Sequence, residues 1–375
     1  MSAPRLAIVH ERLTEFGGSE AVVAEFLKLW PDAELFVPLA DTDGTSALRA
    51  AAGGPVTIHD SPLRRIHLRS HAPLLPLVPA TMRRLPLRDR FDAVLISHHA
   101  FATQAAFATD VPAIAYVHSP ARWAWDPSFR AQEAGGRAGQ LALAGLGNLA
   151  RRNERRAAPR LAHVIANSTA VGDRIRDRWG LPATVINPPV AVDRYTPDLS
   201  IPREDFYLYA GRLVPYKRAD LAIRAAQTAG CRLVIAGEGR FRSQLESIAG
   251  AETTFLGAVP DRTLLDLYRR CRALLMPGIE DFGIVPVEAM ACGATVLAVG
   301  SGGALDTVLP GITGEYVSSG SDNLVVGELA ELLGAHNLER YDPRQVRAHA
   351  LSFSANTFRS RIATVVGDTL RGSTR

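Results

Sequence analysis

The stretch Met276-Pro-Gly-Ile-Glu280-Asp-Phe-Gly-Ile-Val-Pro-Val-Glu288-Ala-Met-Ala-Cys-Gly293 changes character twice along its length. It starts at the end of the apolar run Ala273 to Met276, which reads as a buried strand. Gly278 opens a turn, Pro286 sits where a first helical turn tolerates proline, and Gly293 closes the helix. The phrase is therefore strand, loop and short helix, with Glu280 in the loop and Glu288 inside the helix. Backbone N–H groups from Phe282 to Val285 point out of such a helix start and suit an anion. A carboxylate beside that anion hole suits hydroxyls, which donate to it without adding charge. The pattern fits a sugar phosphate.

The same strand-then-helix grammar runs outward in both directions. Before it, Leu6–Val9, Ala93–Ile96, Ala113–Val117 and His163–Ala166 read as short apolar strands separated by helical periods. Around and after it come 206–210, 233–236, 253–256, 273–276, 295–299 and 315–317. Short apolar strands alternating with helices predict parallel sheets covered on both faces, hence an α/β chain of two doubly wound domains. Prolines at 188, 189, 197 and 202 mark the linker. The expected division is 1–195, 196–353, and a C-terminal helix over 354–375 for which packing back on the N-terminal domain is one expectation. Two doubly wound domains facing one another would place their strand C-terminal ends, and so a ligand, in a cleft.

At 375 residues the chain exceeds one ordinary core, and its 47% apolar and 21% charged content is that of a soluble globular protein. No run is long and apolar enough for a transmembrane helix, and the first residues lack a signal peptide's apolar region. Cys231, Cys271 and Cys292 show no metal spacing, so reduced thiols and a cytoplasmic location are expected. The net charge of +4 is mild and argues for no nucleic-acid partner, but it is patchy. Residues 61–90 hold seven arginines, one acid, His67 and His71; residues 128–160 hold seven arginines and two glutamates around an apolar centre. Two readings stay open: peripheral contact with an anionic membrane face, or solvated helix faces in an arginine-rich chain.

Three further loops carry chemistry. Gly17-Gly18 precedes a helix and lets a backbone approach a phosphate, or is simply a turn. His118 ends a strand before a Ser-Pro turn, where it is either a sugar contact or a capping histidine packed under two tryptophans. Arg212 and Lys217 flank a proline turn after the second domain's first strand. Lysine occurs only at 28 and 217 against 40 arginines, so an ammonium in this loop is not compositional drift. Two cations there could grip a diphosphate, and a surface charge pair is the alternative. Gly237-Glu-Gly239 and Gly300-Ser-Gly302 fail the dinucleotide fingerprint; Walker and GxSxG sequences are absent.

Taken in order, Gly17-Gly18-Ser19-Glu20, His118-Ser-Pro120, Asn167-Ser168, Asn187-Pro-Pro189, Gly211-Arg212-Leu-Val-Pro-Tyr-Lys217, Gly237-Glu-Gly239 and the E-x7-E of Glu280 and Glu288 resemble the retaining nucleotide-sugar glycosyltransferases of the GT-B fold, family 4 group. His10-Glu-Arg-Leu-Thr, Leu213-Val-Pro-Tyr-Lys217 and Asp281-Phe-Gly-Ile-Val-Pro-Val-Glu288 look most like its O-antigen and exopolysaccharide mannosyltransferases. The resemblance implies a hexosyltransferase, best matched to GDP-mannose, acting on a saccharide or lipid-linked saccharide without cofactor or metal. It implies catalytic roles for Arg212 and Lys217 on the diphosphate, Glu280 on donor-sugar hydroxyls and His118 on a sugar hydroxyl. Donor contacts would come from Gly17, Gly18, the backbone of Phe282, Gly283 and Ile284, Gly237 near the base, and Glu288 on the ribose. The rivals are a transferase using a UDP- or TDP-sugar, a sugar-nucleotide epimerase, and a silent nucleotide-sugar-binding protein.

Overall fold

The computed structural model describes residues 4–61, 72–127, 130 and 136–373, and the chain divides into two compact units. One comprises Met1–Pro189 with Ala355–Arg375, the other Val190–Ser354. The sequence-read strands are all present.

In the first unit the strands are β1 (Leu6–His10), β2 (Arg12–Leu13), β3 (Glu34–Val37), β4 (Leu39–Ala40), β5 (Thr57–Asp60), β6 (Ala93–His98), β7 (Ala113–Val117), β8 (His163–Ala166) and β9 (Thr184–Val185). Seven of them form one parallel sheet ordered β5-β3-β1-β6-β7-β8-β9. The strands β1, β6 and β7 are buried along their whole length, which is why they read as unbroken apolar runs. Sequence reading passed over β3, β5 and β9: β5 is a half-exposed polar edge strand and β9 has only two residues. Strand order reverses direction between β1 and β6, and ligands of such sheets gather at the strand ends beside that reversal.

The C-terminal helix Ala355–Ser373 belongs to this unit. Phe358 stacks on Phe26 with ring centroids 5.8 Å apart and meets Tyr116 edge-on at 5.7 Å. Phe358, Ile362 and Val366 are buried in the same core as β1, and side chains of this size contribute about 1.5–3 kcal/mol each.

The arginine-rich segment 61–90 is not simply an exposed excursion. Residues 62–71, with His67 and His71, lie outside the described residues. Beyond them Leu74, Val78, Met82 and Leu87 are buried in the core. Arg83 donates to Gln104 at 2.9 and 2.6 Å and to Asn153 at 2.8 Å, and Arg90 to Glu34 at 2.8 Å. In the second basic segment, 128–129 and 131–135 lie outside the described residues, while Arg155 covers Trp125 at 4.9 Å and Arg160 covers Phe107 at 4.5 Å. Arg83, Arg90, Arg155 and Arg160 thus lie against amide oxygens, a carboxylate or aromatic faces.

The second unit holds β10 (Tyr207–Ala210), β11 (Leu233–Ala236), β12 (Thr253–Gly257), β13 (Ala273–Met276), β14 (Thr295–Val299) and β15 (Gly314–Val317). They form a parallel sheet ordered β12-β11-β10-β13-β14-β15, the doubly wound arrangement with its reversal between β10 and β13. Alternation assigns the side chains: Tyr207, Tyr209, Leu275 and Leu297 enter one core, and Leu208, Leu274, Val296 and Ala298 the other. Cys231, Cys271 and Cys292 carry free thiols, and burial pushes those of Cys271 and Cys292 up to about 12. Among the described residues no helix is long and apolar enough to cross a membrane.

Candidate active site

In the second unit the loops after β10 and β13 meet at the reversal point. Lys217 lies in the short 3-10 turn Pro215–Lys217, Glu280 in the loop after β13, and Lys217 Nζ donates to Glu280 Oε1 at 2.7 Å. Glycine makes this approach feasible: a Cβ on Gly278 would lie 2.7 Å from the Lys217 carbonyl oxygen. The next residue, Arg218, adopts φ 54 and ψ 40, a left-handed conformation that costs a non-glycine residue about 1–3 kcal/mol. Its guanidinium holds Asp220 at 2.9 Å and Asp322 at 2.6 Å, which fixes the turn carrying Lys217.

The loop is braced from behind. Gly303 N–H donates to the Glu280 carbonyl at 2.9 Å, and a Cβ on Gly303 would lie 2.1 Å from the Phe282 carbonyl oxygen. Gly283, at φ 92 and ψ 91, turns the chain into the helix Ile284–Ala291. The Phe282 ring is buried and packs on Phe353 at 5.7 Å, leaving its backbone for the loop. Among the described residues no acceptor closes on the N–H groups of Phe282, Gly283 and Ile284. Such unspent donors beside an ammonium and a carboxylate can bind a phosphate and a hydroxyl together.

Arg212 is exposed; it donates to the Tyr216 hydroxyl at 3.4 Å and meets no carboxylate among the described residues. Glu288 accepts from the Tyr268 hydroxyl at 3.1 Å. Burial lifts its carboxyl to about 7, against the smaller lowering effect of that bond. Gly237 serves the backbone: at φ 152, its Cβ would lie 1.9 Å from the Gly211 carbonyl oxygen. The close approach made by this glycine is to Gly211.

In the first unit, Gly17 caps the helix Gly18–Leu29 in an extended conformation, φ −141 and ψ −158, which any residue adopts. A Cβ there would make ordinary contact with Glu20 Oε2 at 3.4 Å, so neither strain nor crowding demands glycine. Glu20 reaches back to the Gly17 N–H at 3.0 Å and accepts the Ser19 hydroxyl at 2.8 Å. His118 stacks on His99 at 4.5 Å and lies edge-on to Tyr116 at 5.2 Å, so its ring contacts differ from the tryptophan packing open in the sequence. Burial, and then neighbouring His99 and His10, hold His118 well below the usual histidine range.

Sequence reading missed the residues behind His118. His10, His99 and His118 come from the ends of adjacent strands, and only the strand order gathers them. Glu154, buried in the helix Gly136–Ala157, accepts from the Ala121 N–H at 2.9 Å and from Trp125 Nε1 at 2.5 Å, fixing the turn after His118. Glu11 accepts from the N–H groups of His99, Ala100 and Phe101. The first sheet's reversal point thus fills its anion hole with the chain's own carboxylate. Among the described residues no group of three or more His, Cys, Asp or Glu side chains is arranged to hold a metal ion.

Two family models adjoin along the chain: Glycosyltransferase Family 4 matches residues 16–194 and Glycosyl transferases group 1 matches residues 194–342. The D-inositol 3-phosphate glycosyltransferase of Mycolicibacterium paratuberculosis is 31% identical over 192 residues, 45% of this chain and 44% of that protein. That of Mycobacterium bovis is 31% identical over 198 residues, 45% of this chain and 40% of its own length. The match therefore spans less than half of these curated relatives. Among solved structures, Anabaena Alr3699/HepE in complex with UDP aligns with a TM-score of 0.71 at 19% identity, covering 97% of this chain and all (100%) of that one. Sucrose-phosphate synthase from Thermosynechococcus elongatus aligns with a TM-score of 0.70 at 16% identity, covering 98% and 100%. At these identities the structural likeness speaks to fold alone.

Proposed function

The chain belongs to the GT-B glycosyltransferases, and from that premise we propose that it moves a hexosyl group from a nucleotide-sugar donor to a saccharide or lipid-linked saccharide, retaining configuration and using no metal or cofactor. The observation that carries this is the Lys217–Glu280 pair, 2.7 Å apart beside unspent backbone donors. Lys217 and Arg212 take the diphosphate, Glu280 takes sugar hydroxyls, and Glu288 takes the ribose. Phe282, Gly283 and Ile284 supply backbone N–H groups. Gly237 acts indirectly, by seating the Gly211–Leu213 loop. In the first unit, Gly17 and Gly18 offer open backbone, and His118 meets a sugar hydroxyl.

In the transfer, the bond from the anomeric carbon to the phosphate oxygen breaks as the acceptor oxygen bonds that carbon on the same face. The acceptor proton passes to the departing phosphate oxygen, so no protein nucleophile is required. Lys217 and Arg212 offset the charge that develops there, and removing one such contact typically costs about 10²–10³ in rate.

GDP-mannose is the donor best supported by the sequence phrases around His10, Lys217 and Glu288. The second reading, a UDP-sugar, is favoured by the UDP and UDP-glucose complexes of Alr3699/HepE. The lipid-linked acceptor and peripheral membrane contact rest on the basic segments, with Leu77 and Leu141 exposed at 49% and 74%. Pelleting with anionic liposomes at low salt supports that part; no association with them removes it.

The reaction is tested by incubating the protein with GDP-mannose and with UDP-glucose, each with lipid-linked saccharide acceptors, and following the anomeric proton by NMR. A transferred sugar with the donor's configuration supports the proposal. An isomerised donor without transfer would mark an epimerase, and unchanged donors throughout would count for a silent binding protein.

A further inference from the structure

A cavity of about 310 Å³ opens in the second unit, at the edge of the sheet opposite Lys217 and Glu280. Its wall is built where strands begin: Gly293 and Thr295 lie at the start of β14, and Arg203 in the segment leading into β10. Lys217 and Glu280 instead follow the ends of β10 and β13. A space of this size suits a small organic molecule, ligand pockets running from about 300 to 1,000 Å³. Two positive charges line it, Arg203 and Arg269.

The fold accounts for part of Arg203. Its Nη1 donates to the carbonyls of Tyr268 at 3.0 Å and Cys271 at 2.7 Å, and its Nη2 to that of Cys292 at 3.4 Å. It thereby caps the ends of two helices, Asp261–Arg270 and Ile284–Ala291. Carbonyls satisfy N–H groups without carrying net charge, and burial works against the charge on this guanidinium. The thiols of Cys271 and Cys292, pushed up to about 12, are neutral and do not offset it. Arg203 Nε and the second hydrogen on Nη2 meet no acceptor among the described residues. Arg269 donates from Nε to the Thr196 carbonyl at 2.7 Å and from Nη2 to the Thr196 hydroxyl at 3.0 Å. Its Nη1 meets no acceptor among the described residues, and neither arginine forms an ion pair with them.

The lining carboxylates, Asp198 and Glu339, are both exposed, and Asp198 is held by the Ser200 N–H at 3.0 Å and hydroxyl at 2.6 Å. Leu199, Ile201 and Leu338 give the wall an apolar side. A guanidinium edge with two N–H groups matches the paired oxygens of a carboxylate or a phosphate. We propose that this cavity is a second ligand site, taking a small organic anion whose oxyanion head meets Arg203 and Arg269 and whose apolar body lies on Leu199 and Ile201. The exposed acids count against a polyanion such as a nucleoside diphosphate, so this ligand is distinct from the donor. The inference uses the second unit alone and does not rest on the glycosyl-transfer reading.

The test is methyl NMR on the full chain with labelled isoleucine at neutral pH. The probes are 3-phenylpropionate and phenyl phosphate, with 3-phenylpropionamide as body without charge and acetate as head without body. Ile201 and Ile284 are assigned by loss of their signals in Ile201→Val and Ile284→Val. The expected result is a saturable shift of Ile201 at millimolar concentration of either aryl anion, with the amide and acetate each weaker by about tenfold or more. Arg269→Gln should weaken the aryl anion by about tenfold. If that variant does not fold, Leu199→Glu, at a residue 58% exposed, adds a carboxylate to the cavity and should weaken the anion likewise. The proposal is overturned by an Ile201 signal unmoved by both aryl anions, or by an amide or acetate that binds as tightly. Affinity unchanged in the folded variant, or shifts at Ile284 in place of Ile201, overturns it equally.

Discussion

Lys217 Nζ and Glu280 Oε1, from two loops at the reversal point of the second sheet, form a 2.7 Å ion pair that is largely shielded, with side-chain exposures of 13% and 23%. A donor that engages both residues must draw Lys217 toward its diphosphate while its hydroxyls take over Glu280. The pair is a resting state in which each charge holds the other in place. Glu280→Ala should release Lys217, so a bare nucleoside diphosphate binds at least as tightly as to the wild type. Turnover of the nucleotide sugar should fall about 10²–10³-fold in the same variant. Calorimetry and steady-state kinetics read the two effects separately; parallel losses in both would contradict this division of labour.

Lys217→Ala should do the reverse and weaken diphosphate binding by about 1.5–3 kcal/mol. Lys217→Arg should recover only part of it, since a planar guanidinium does not replace a compact ammonium beside Gly211. Competition between UDP or GDP and a labelled nucleotide measures this. Full recovery by arginine would mean that charge alone, without shape, is what the site needs.

Glu288 predicts a pH dependence with a definite sign. Its carboxyl ionises near 4.5 in the unfolded chain and about 7 when folded, raised chiefly by burial. Between those values the folded state holds a proton that the unfolded state has lost, so this group's contribution lowers stability as pH rises through the window, by about 3 kcal/mol at most. Glu288→Gln should flatten that part of the stability curve and unfold at higher denaturant near neutral pH. The same change should weaken binding of any ribose-bearing ligand. A stability curve unchanged in shape would show that Glu288 ionises freely in the folded protein.

Gly237→Ala tests a packing role. The added Cβ would lie 1.9 Å from the Gly211 carbonyl oxygen at a φ of 152, so strain and collision act together. The expected loss is about 1–3 kcal/mol of stability, with nucleotide affinity lost only as the Gly211–Leu213 loop is displaced. Gly17→Ala, by contrast, should leave stability within about 0.5 kcal/mol and lower turnover. Urea denaturation of both variants checks the contrast.

These residues also show what the sequence disclosed and what it withheld. Strands buried on both faces, such as Ala113–Val117, are legible because nothing polar interrupts them. The half-exposed β5 and the two-residue β9 carry too little pattern to be read. Lys217 and Glu280 stood out because composition and spacing made them unusual, yet their pairing required the order of β10 and β13. Gly237 and Gly17 looked alike as glycines near a ligand. Only the folded backbone separates a glycine that it needs from one that it does not. Glu11 and Glu20 lie inside the quoted motifs, yet nothing in the sequence marks them or Glu154 as buried, since a buried carboxylate with its own donors resembles any surface acid in a sequence. The surroundings of Arg83, Arg90 and Arg160 were hidden for the complementary reason: their amide, carboxylate and aromatic partners are distant in the chain.

If the Lys217–Glu280 site takes a nucleotide sugar, donor binding will show it. Thermal shift would compare the wild type with Glu280→Ala against GDP, UDP, ADP, TDP and their common sugars. The expected result is selective stabilisation of the wild type by one base, an added increment from the attached sugar, and loss of that increment alone in Glu280→Ala. A wild type indifferent to every nucleotide, or an increment that survives in Glu280→Ala, would contradict it.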